Sequence, residues 1–264
     1  MNQNTLRHAL RKVSLVVLNN FLINRLFILL EKEDWIQRLA VNWSEARYDT
    51  SKSLGENVGF SDIPEIKESR DKMHVLLEKA SRQYLKPGDN ILEVGCGTGI
   101  FLAPLGHDYA VTGIDLSKNF LSRARQHVPN GKFIEGDYLS VKLSDRFNLI
   151  YLESSLQYFT PGKLPSLFKK FYDDLLPGGI LLIHYSHALT LNDALYGNLT
   201  YIRYSPHVIE EMAMEYFTII RHHHYTDDRV VKWYDSHHYY FPGQMGKRTD
   251  TNLNTYLFIA QRLQ

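Results

Sequence analysis

Ile91-Leu92-Glu93-Val94-Gly95-Cys96-Gly97-Thr98-Gly99 is the stretch whose reading decides the fold. A short apolar run ends in an acid and three alternating glycines. Such a short apolar run ending in glycines reads as a strand. Glycines permit a tight turn and let backbone N–H groups approach a ligand without side-chain obstruction. A helix is expected to follow, with its positive end toward an anionic group. A dinucleotide fingerprint needs glycine at its first, third and sixth positions. Counted from Gly95 the sixth position is Ile100, so that fingerprint fails, and no Gly-Lys-Ser/Thr follows to make a P-loop.

Outward from this turn, strands and helices alternate. Ala110 to Ile114 is a second apolar run, ending on Asp115. Ser117 can cap the next helix, which Pro129 stops. Lys132 to Glu135 is a third strand, ending at Gly136-Asp137, and Phe147 to Leu152 is a fourth, ending at Glu153. A helix follows over Pro165–Leu176, Pro177-Gly178-Gly179 turns the chain, and Ile180 to His184 is a fifth strand. Upstream, Met73, Leu76, Leu77 and Ala80 recur at helical spacing within Asp62–Tyr84, before a Pro87-Gly88-Asp89 turn. Downstream, residues 186–204 are polar and Tyr-rich, Ser205-Pro206 opens a helix, and Phe217–Ile220 and Thr255–Ala260 read as two last strands. Alternating strands and helices imply parallel pairing with right-handed crossovers. Open sheets of this kind bind ligands at the carboxyl ends of their strands, so strand-end residues are the candidates.

Composition narrows the function. The 264 residues are 44% hydrophobic and 22% charged, as in an ordered soluble protein. The formal net charge of +1 argues against nucleic acid as the main partner, since phosphate binding needs a basic excess. The single cysteine, Cys96, cannot make an internal disulfide, which fits a cytoplasmic setting. Arg7, Arg11 and Lys12 precede an apolar stretch from Val13 to Leu30. Asn19, Asn20, Asn24 and Arg25 interrupt it and would be costly to bury in hydrocarbon. It reads as a helix packed on the domain or on a second copy of the chain, giving a homodimer. Membrane contact through residues 1–30 is the less favoured alternative.

The glycine turn and its surroundings resemble the first motif of class I S-adenosylmethionine (SAM)-dependent methyltransferases. The resemblance covers residues 85–185 well and the flanks poorly. It implies an α/β, Rossmann-like, doubly wound sheet of seven strands, mostly parallel with the last antiparallel. A helical N-terminal extension or lid (residues 1–60) would precede a SAM-binding domain (residues 61–264). Residues 186–213 and 225–252 would be substrate-side insertions. The cofactor would be SAM and the product S-adenosylhomocysteine. Glu93, Gly95, Cys96, Gly97, Thr98 and Gly99 would form the cofactor turn. Asp115, with Leu116 beside it, would accept the two ribose hydroxyls, as a carboxylate can. Asp137 would accept from the adenine amino group and Tyr138 would flank the ring. Glu153 would line the methionine end. Tyr48 and Arg70, from the leading segment, would fold over the cofactor, Arg70 pairing with its carboxylate.

Methyl transfer is an in-line displacement at a carbon on a sulfonium, so positioning supplies much of the rate. A base is needed only for an acceptor that carries a proton at the moment of attack. Glu153, His184 and His187, all near strand ends, are the candidates, with a histidine suited to a hydroxyl acceptor. The His222-His223-His224 triplet does not suggest a metal, because adjacent strand residues point to opposite faces. The aromatic-rich segment around Trp233, Tyr234, His237 and His238 suggests an enclosed pocket. The expected function is therefore methyl transfer to an oxygen or nitrogen of a small molecule, such as a sugar, lipid precursor or secondary metabolite. Glu153-Ser154-Ser155-Leu156 stands where methylation of a base or of glutamine would require an Asn/Asp-Pro-Pro-Tyr type motif. A SAM-binding module without catalysis and a peripheral-membrane lipid methyltransferase are the alternatives.

Overall fold

The computed structural model describes residues 64–187, 204–225 and 254–264. Seven strands form one sheet in the order β3-β2-β1-β4-β5-β7-β6. They are β1 (Asn90–Val94), β2 (Ala110–Asp115), β3 (Lys132–Glu135), β4 (Phe147–Glu153), β5 (Leu175–His187), β6 (Phe217–Tyr225) and β7 (Asn254–Arg262). β1 through β5 pair in parallel, and β7 inserts antiparallel between β5 and β6. This is the Rossmann-like methyltransferase topology that the resemblance implies.

The central strands are apolar on both faces, and alternate residues enter two cores. Leu92, Val94, Ile150, Leu152, Leu181 and Ile183 join one, with Leu167, Phe168 and Phe171 of helix α3 (Leu164–Asp174). Ile91, Leu149, Tyr151, Ile180 and Leu182 join the other, with Leu77 of helix α1 (Pro64–Tyr84) and Leu121 of helix α2 (Lys118–His127). Each such Leu or Ile contributes about 1.5–3 kcal/mol by leaving water. Ser117 caps α2 by accepting the Phe120 N–H, as its position predicts.

Two expectations change. The segment after the glycine turn is a chain of turns over residues 97–108 rather than a continuous helix. Pro104 can donate no backbone hydrogen bond there, and Leu102 and Ala103 both donate to Gly99 O. The positive end of a helix is therefore absent from this turn. Pro177-Gly178-Gly179 lies within β5, which begins at Leu175, because Leu175 pairs with Phe147 across an irregularity in the ladder. Within the expected insertion 186–213, helix α4 (Pro206–Ala213) sinks Ile209 and Ala213 into the α3-side core. Residues 1–60, and most of 225–252, lie outside the described residues.

Candidate active site

The carboxyl ends of β1, β2 and β4 meet at the glycine turn. Gly95 and Cys96 N–H both donate to Ile114 O, at 2.8 and 3.0 Å. Gly95 has φ +75°, and a Cβ there would lie 2.6 Å from that of Ser155. Ser155 Oγ in turn donates to Val94 O at 2.7 Å, so the loop after β4 is locked onto the turn. Gly97 differs: its φ is +50°, yet a Cβ would meet nothing within 4 Å among the described residues. Open space therefore fronts this part of the turn. Asp115 braces it from β2. Its Oδ2 accepts the Gly97 N–H and its Oδ1 the Ser117 N–H, both at 2.8 Å.

A second group lies beside it. Strand register sets Glu93 opposite Tyr151, and Glu153 opposite His184. The Glu153 carboxylate accepts from Tyr151 Oη and from Ser154 Oγ, each at 3.1 Å. His184 Nδ1 lies 2.6 Å from Glu153 Oε2. A carboxylate only accepts, so Nδ1 carries a proton, and in the neutral tautomer the lone pair is then on Nε2. His184 is 6% exposed, and Nε2 has no hydrogen-bond partner among the described residues. Ser154, next in chain, has φ +50°, a conformation disfavoured outside glycine. Glu93 is 1% exposed, and its Oε2 also has no partner among the described residues. Burial, reinforced by the charges of Glu153 and Asp115, pushes its carboxyl well above the ordinary range. The Tyr151 hydroxyl is likewise pushed up by burial and then by Glu153.

The other expected site residues divide. Thr98 is buried, with its carbonyl 2.8 Å from His127 Nδ1. Gly99 packs against Ala124 of α2. Cys96 is buried, with Sγ 2.6 Å from where a Gly113 Cβ would sit, and burial pushes its thiol well up, which disfavours the nucleophilic thiolate. Leu116 is half-buried at the exit of β2. Asp137 closes its own turn, accepting from Leu139 N–H at 3.1 Å. Tyr138, expected beside the adenine, is instead 2% exposed in the core. It stacks on Phe171 and donates to Asp174 Oδ2 at 2.8 Å. The α3 side offers this ring both an apolar partner and an acceptor, and that outcompetes the site side. Arg70 falls on α1, and the His187 backbone pairs with Asn254. Tyr48 lies outside the described residues.

Sequence reasoning did not find the bracing by Tyr151, Ser155 and His127. Tyr151 had a readable signal, being two residues before Glu153 on a strand and so on its face. It also missed a hydrogen-bonded chain on the opposite face. Tyr185 Oη lies 2.7 Å from His222 Nε2, and His222 Nδ1 lies 2.7 Å from Glu210 Oε1. This chain ties α4 to the sheet and occupies both nitrogens of His222. Among the described residues no group of His, Cys, Asp and Glu is placed to hold a metal. Nor is any described helix long and apolar enough to cross a membrane.

These features offer a donor cofactor backbone and carboxylate groups at one end of the sheet. The Gly97 turn, the Asp115 carboxylate that braces it, and Glu93 Oε2, which has no partner among the described residues, lie at adjoining strand ends. Comparison with known proteins agrees. Residues 91–179 match the model of a methyltransferase domain family. Trans-aconitate 2-methyltransferase of Delftia acidovorans is 34% identical over 112 residues, 40% of this chain and 41% of that protein. Phosphoethanolamine N-methyltransferase 3 of Arabidopsis thaliana is 38% identical over 106 residues, 38% of this chain and 21% of that protein. The chain thus spans 41% and 21% of the length of these two relatives. The N-methyltransferase NodS from Bradyrhizobium japonicum, solved with S-adenosylhomocysteine, superposes with TM-score 0.61 over 85% of this chain and 98% of that one. At 18% identity that likeness speaks for the fold alone. Residues 91–179 are thus similar to the methyltransferase domain family, and the sheet built around them has the fold of S-adenosylhomocysteine-bound NodS.

Proposed function

We propose that this protein transfers the methyl group of SAM to an oxygen or nitrogen of a small molecule, with His184 as base and Glu153 as its orienting partner. The observation that carries the base assignment is the Glu153–His184 contact of 2.6 Å beside the open glycine turn. SAM, when bound, supplies an electrophilic methyl carbon on a sulfonium. Gly97 and Asp115 would receive the ribose side, with Glu93 beneath it and Asp137 toward the adenine. Tyr138 leaves this set, because its ring is committed to the α3-side core. Glu153 holds the imidazole in one tautomer. His184 Nε2 would accept the proton of an acceptor attacking the methyl group that SAM would supply. The relatives named as methyltransferases of trans-aconitate and phosphoethanolamine support a small acceptor.

The test is methyl transfer from labelled SAM into a small-molecule extract, compared between wild type and His184→Ala. General-base loss costs about a hundredfold or more in rate. SAM affinity should stay within twofold of wild type. A His184→Ala protein with wild-type turnover removes the base. Tight SAM binding with no extract-dependent S-adenosylhomocysteine would favour a binding module instead.

A further inference from the structure

We propose that His127 is a positioning residue for the methyl-donor turn, acting through the Thr98 carbonyl. This rests on the reading of residues 95–99 as the SAM turn. His127 is the last residue of α2, 29 positions along the chain from Thr98, and its Nδ1 lies 2.8 Å from Thr98 O. A carbonyl only accepts, so Nδ1 is the donor whatever the charge of the ring. The turn needs this donor because its own backbone does not supply one. In a regular helix the Leu102 N–H would close on Thr98 O; here Leu102 donates to Gly99 O at 3.1 Å.

The contact completes a two-point clamp. Asp115, at the end of β2, accepts the N–H of Gly97, and His127 donates to the carbonyl of Thr98. Both side chains belong to one β2–α2 unit, whose start is fixed by the Ser117 N–H on Asp115 Oδ1 and the Ser117 cap on Phe120 N–H. Ala124, one turn before His127, lies 3.1 Å from where a Gly99 Cβ would sit. α2 thus acts as a strut that holds both peptide groups flanking Gly97 and Thr98. The energetic gain to SAM would come from preorganisation: a turn already in its binding shape loses less freedom when the ligand arrives.

The experiment compares wild type, His127→Ala and His127→Asn by calorimetry with SAM and by amide exchange of residues 95–99 without it. An Asn amide nitrogen occupies roughly the place of Nδ1 and can donate to the same carbonyl. His127→Ala should raise the SAM dissociation constant about fivefold, which is about 1 kcal/mol. It should speed exchange at Gly97 and Gly99, and saturating SAM should restore the rate of methyl transfer. His127→Asn should return affinity and exchange to within twofold of wild type. Unchanged affinity and exchange in His127→Ala overturn the proposal. So does a uniform rise in exchange along the chain with no rescue by Asn, which would mark a merely structural helix end. If wild type binds no SAM, the cofactor reading fails, while the exchange difference still decides the clamp.

Discussion

Asp115→Asn separates the structural and the cofactor roles of one carboxylate. In the folded chain Oδ2 accepts the Gly97 N–H and Oδ1 the Ser117 N–H, both at 2.8 Å. An asparagine has one acceptor oxygen and one NH2, so either orientation turns a donor toward a donor. One charge-assisted bond is lost, about 1.5–3 kcal/mol, and the other becomes neutral, losing about 1 kcal/mol more. Solvent can reach this half-buried group and offsets part of that, so a stability loss of about 2 kcal/mol is expected. The proposed pair of ribose hydroxyls loses a charged acceptor as well. At about 1.5–3 kcal/mol, SAM binding should weaken by about tenfold to a hundredfold. Urea unfolding reads the first quantity and calorimetric titration with SAM at saturating protein stability reads the second. A SAM dissociation constant within twofold of wild type, in a variant that still unfolds cooperatively, would refute the ribose assignment. Unchanged urea stability would show that the two backbone bonds contribute nothing net.

Three further substitutions test the site from other directions. Glu93→Gln should change how stability depends on pH. The folded carboxyl titrates well above its ordinary value of 4.5, so the folded state holds a proton that the unfolded chain has released. Wild-type stability therefore falls as pH rises from about 4.5 toward the raised value, and the glutamine variant escapes that fall. Thermal unfolding between pH 4 and 8 should show the gap opening upward; a constant gap removes the buried-carboxyl account. Gly95→Ala and Gly97→Val should fail in different ways. The first drives a Cβ into Ser155 at 2.6 Å and should cost folding stability by about 2 kcal/mol or more. The second meets open space, so it should cost about 1 kcal/mol of backbone strain while abolishing SAM binding. Equal loss of binding and stability in both would contradict the open space before Gly97.

Much of the proposed donor side was legible in the chain itself. The glycine turn, the acids Asp115, Asp137 and Glu153 at successive strand ends, and the Ser117 and Ser205 caps each depend on local requirements. A strand needs its apolar run, a tight turn its glycines, and a helix start an oxygen for its unpaired N–H groups. Such demands leave a mark within a few residues. The break in the segment after Gly99 was less visible, since it depends on Pro104 and on where Leu102 and Ala103 find acceptors.

What the tertiary structure decided is which marked residues act together. A shift of one position between β4 and β5 would put His184 on the opposite face from Glu153, and no local rule sets that register. It is set by two cores that must both be filled, with Ile183 going to one and Leu182 to the other. The same packing sends Tyr138 to Phe171 and Asp174 instead of the cofactor side. It also carries the end of α2 back to the turn, so that His127 meets Thr98 across 29 residues of sequence. The sequence by itself therefore determined the turn proposed to receive the donor, because a backbone shape depends on the residues that form it. The partners of that turn, and the pairing of the proposed base, depend on long-range burial and were decided only by the assembled sheet.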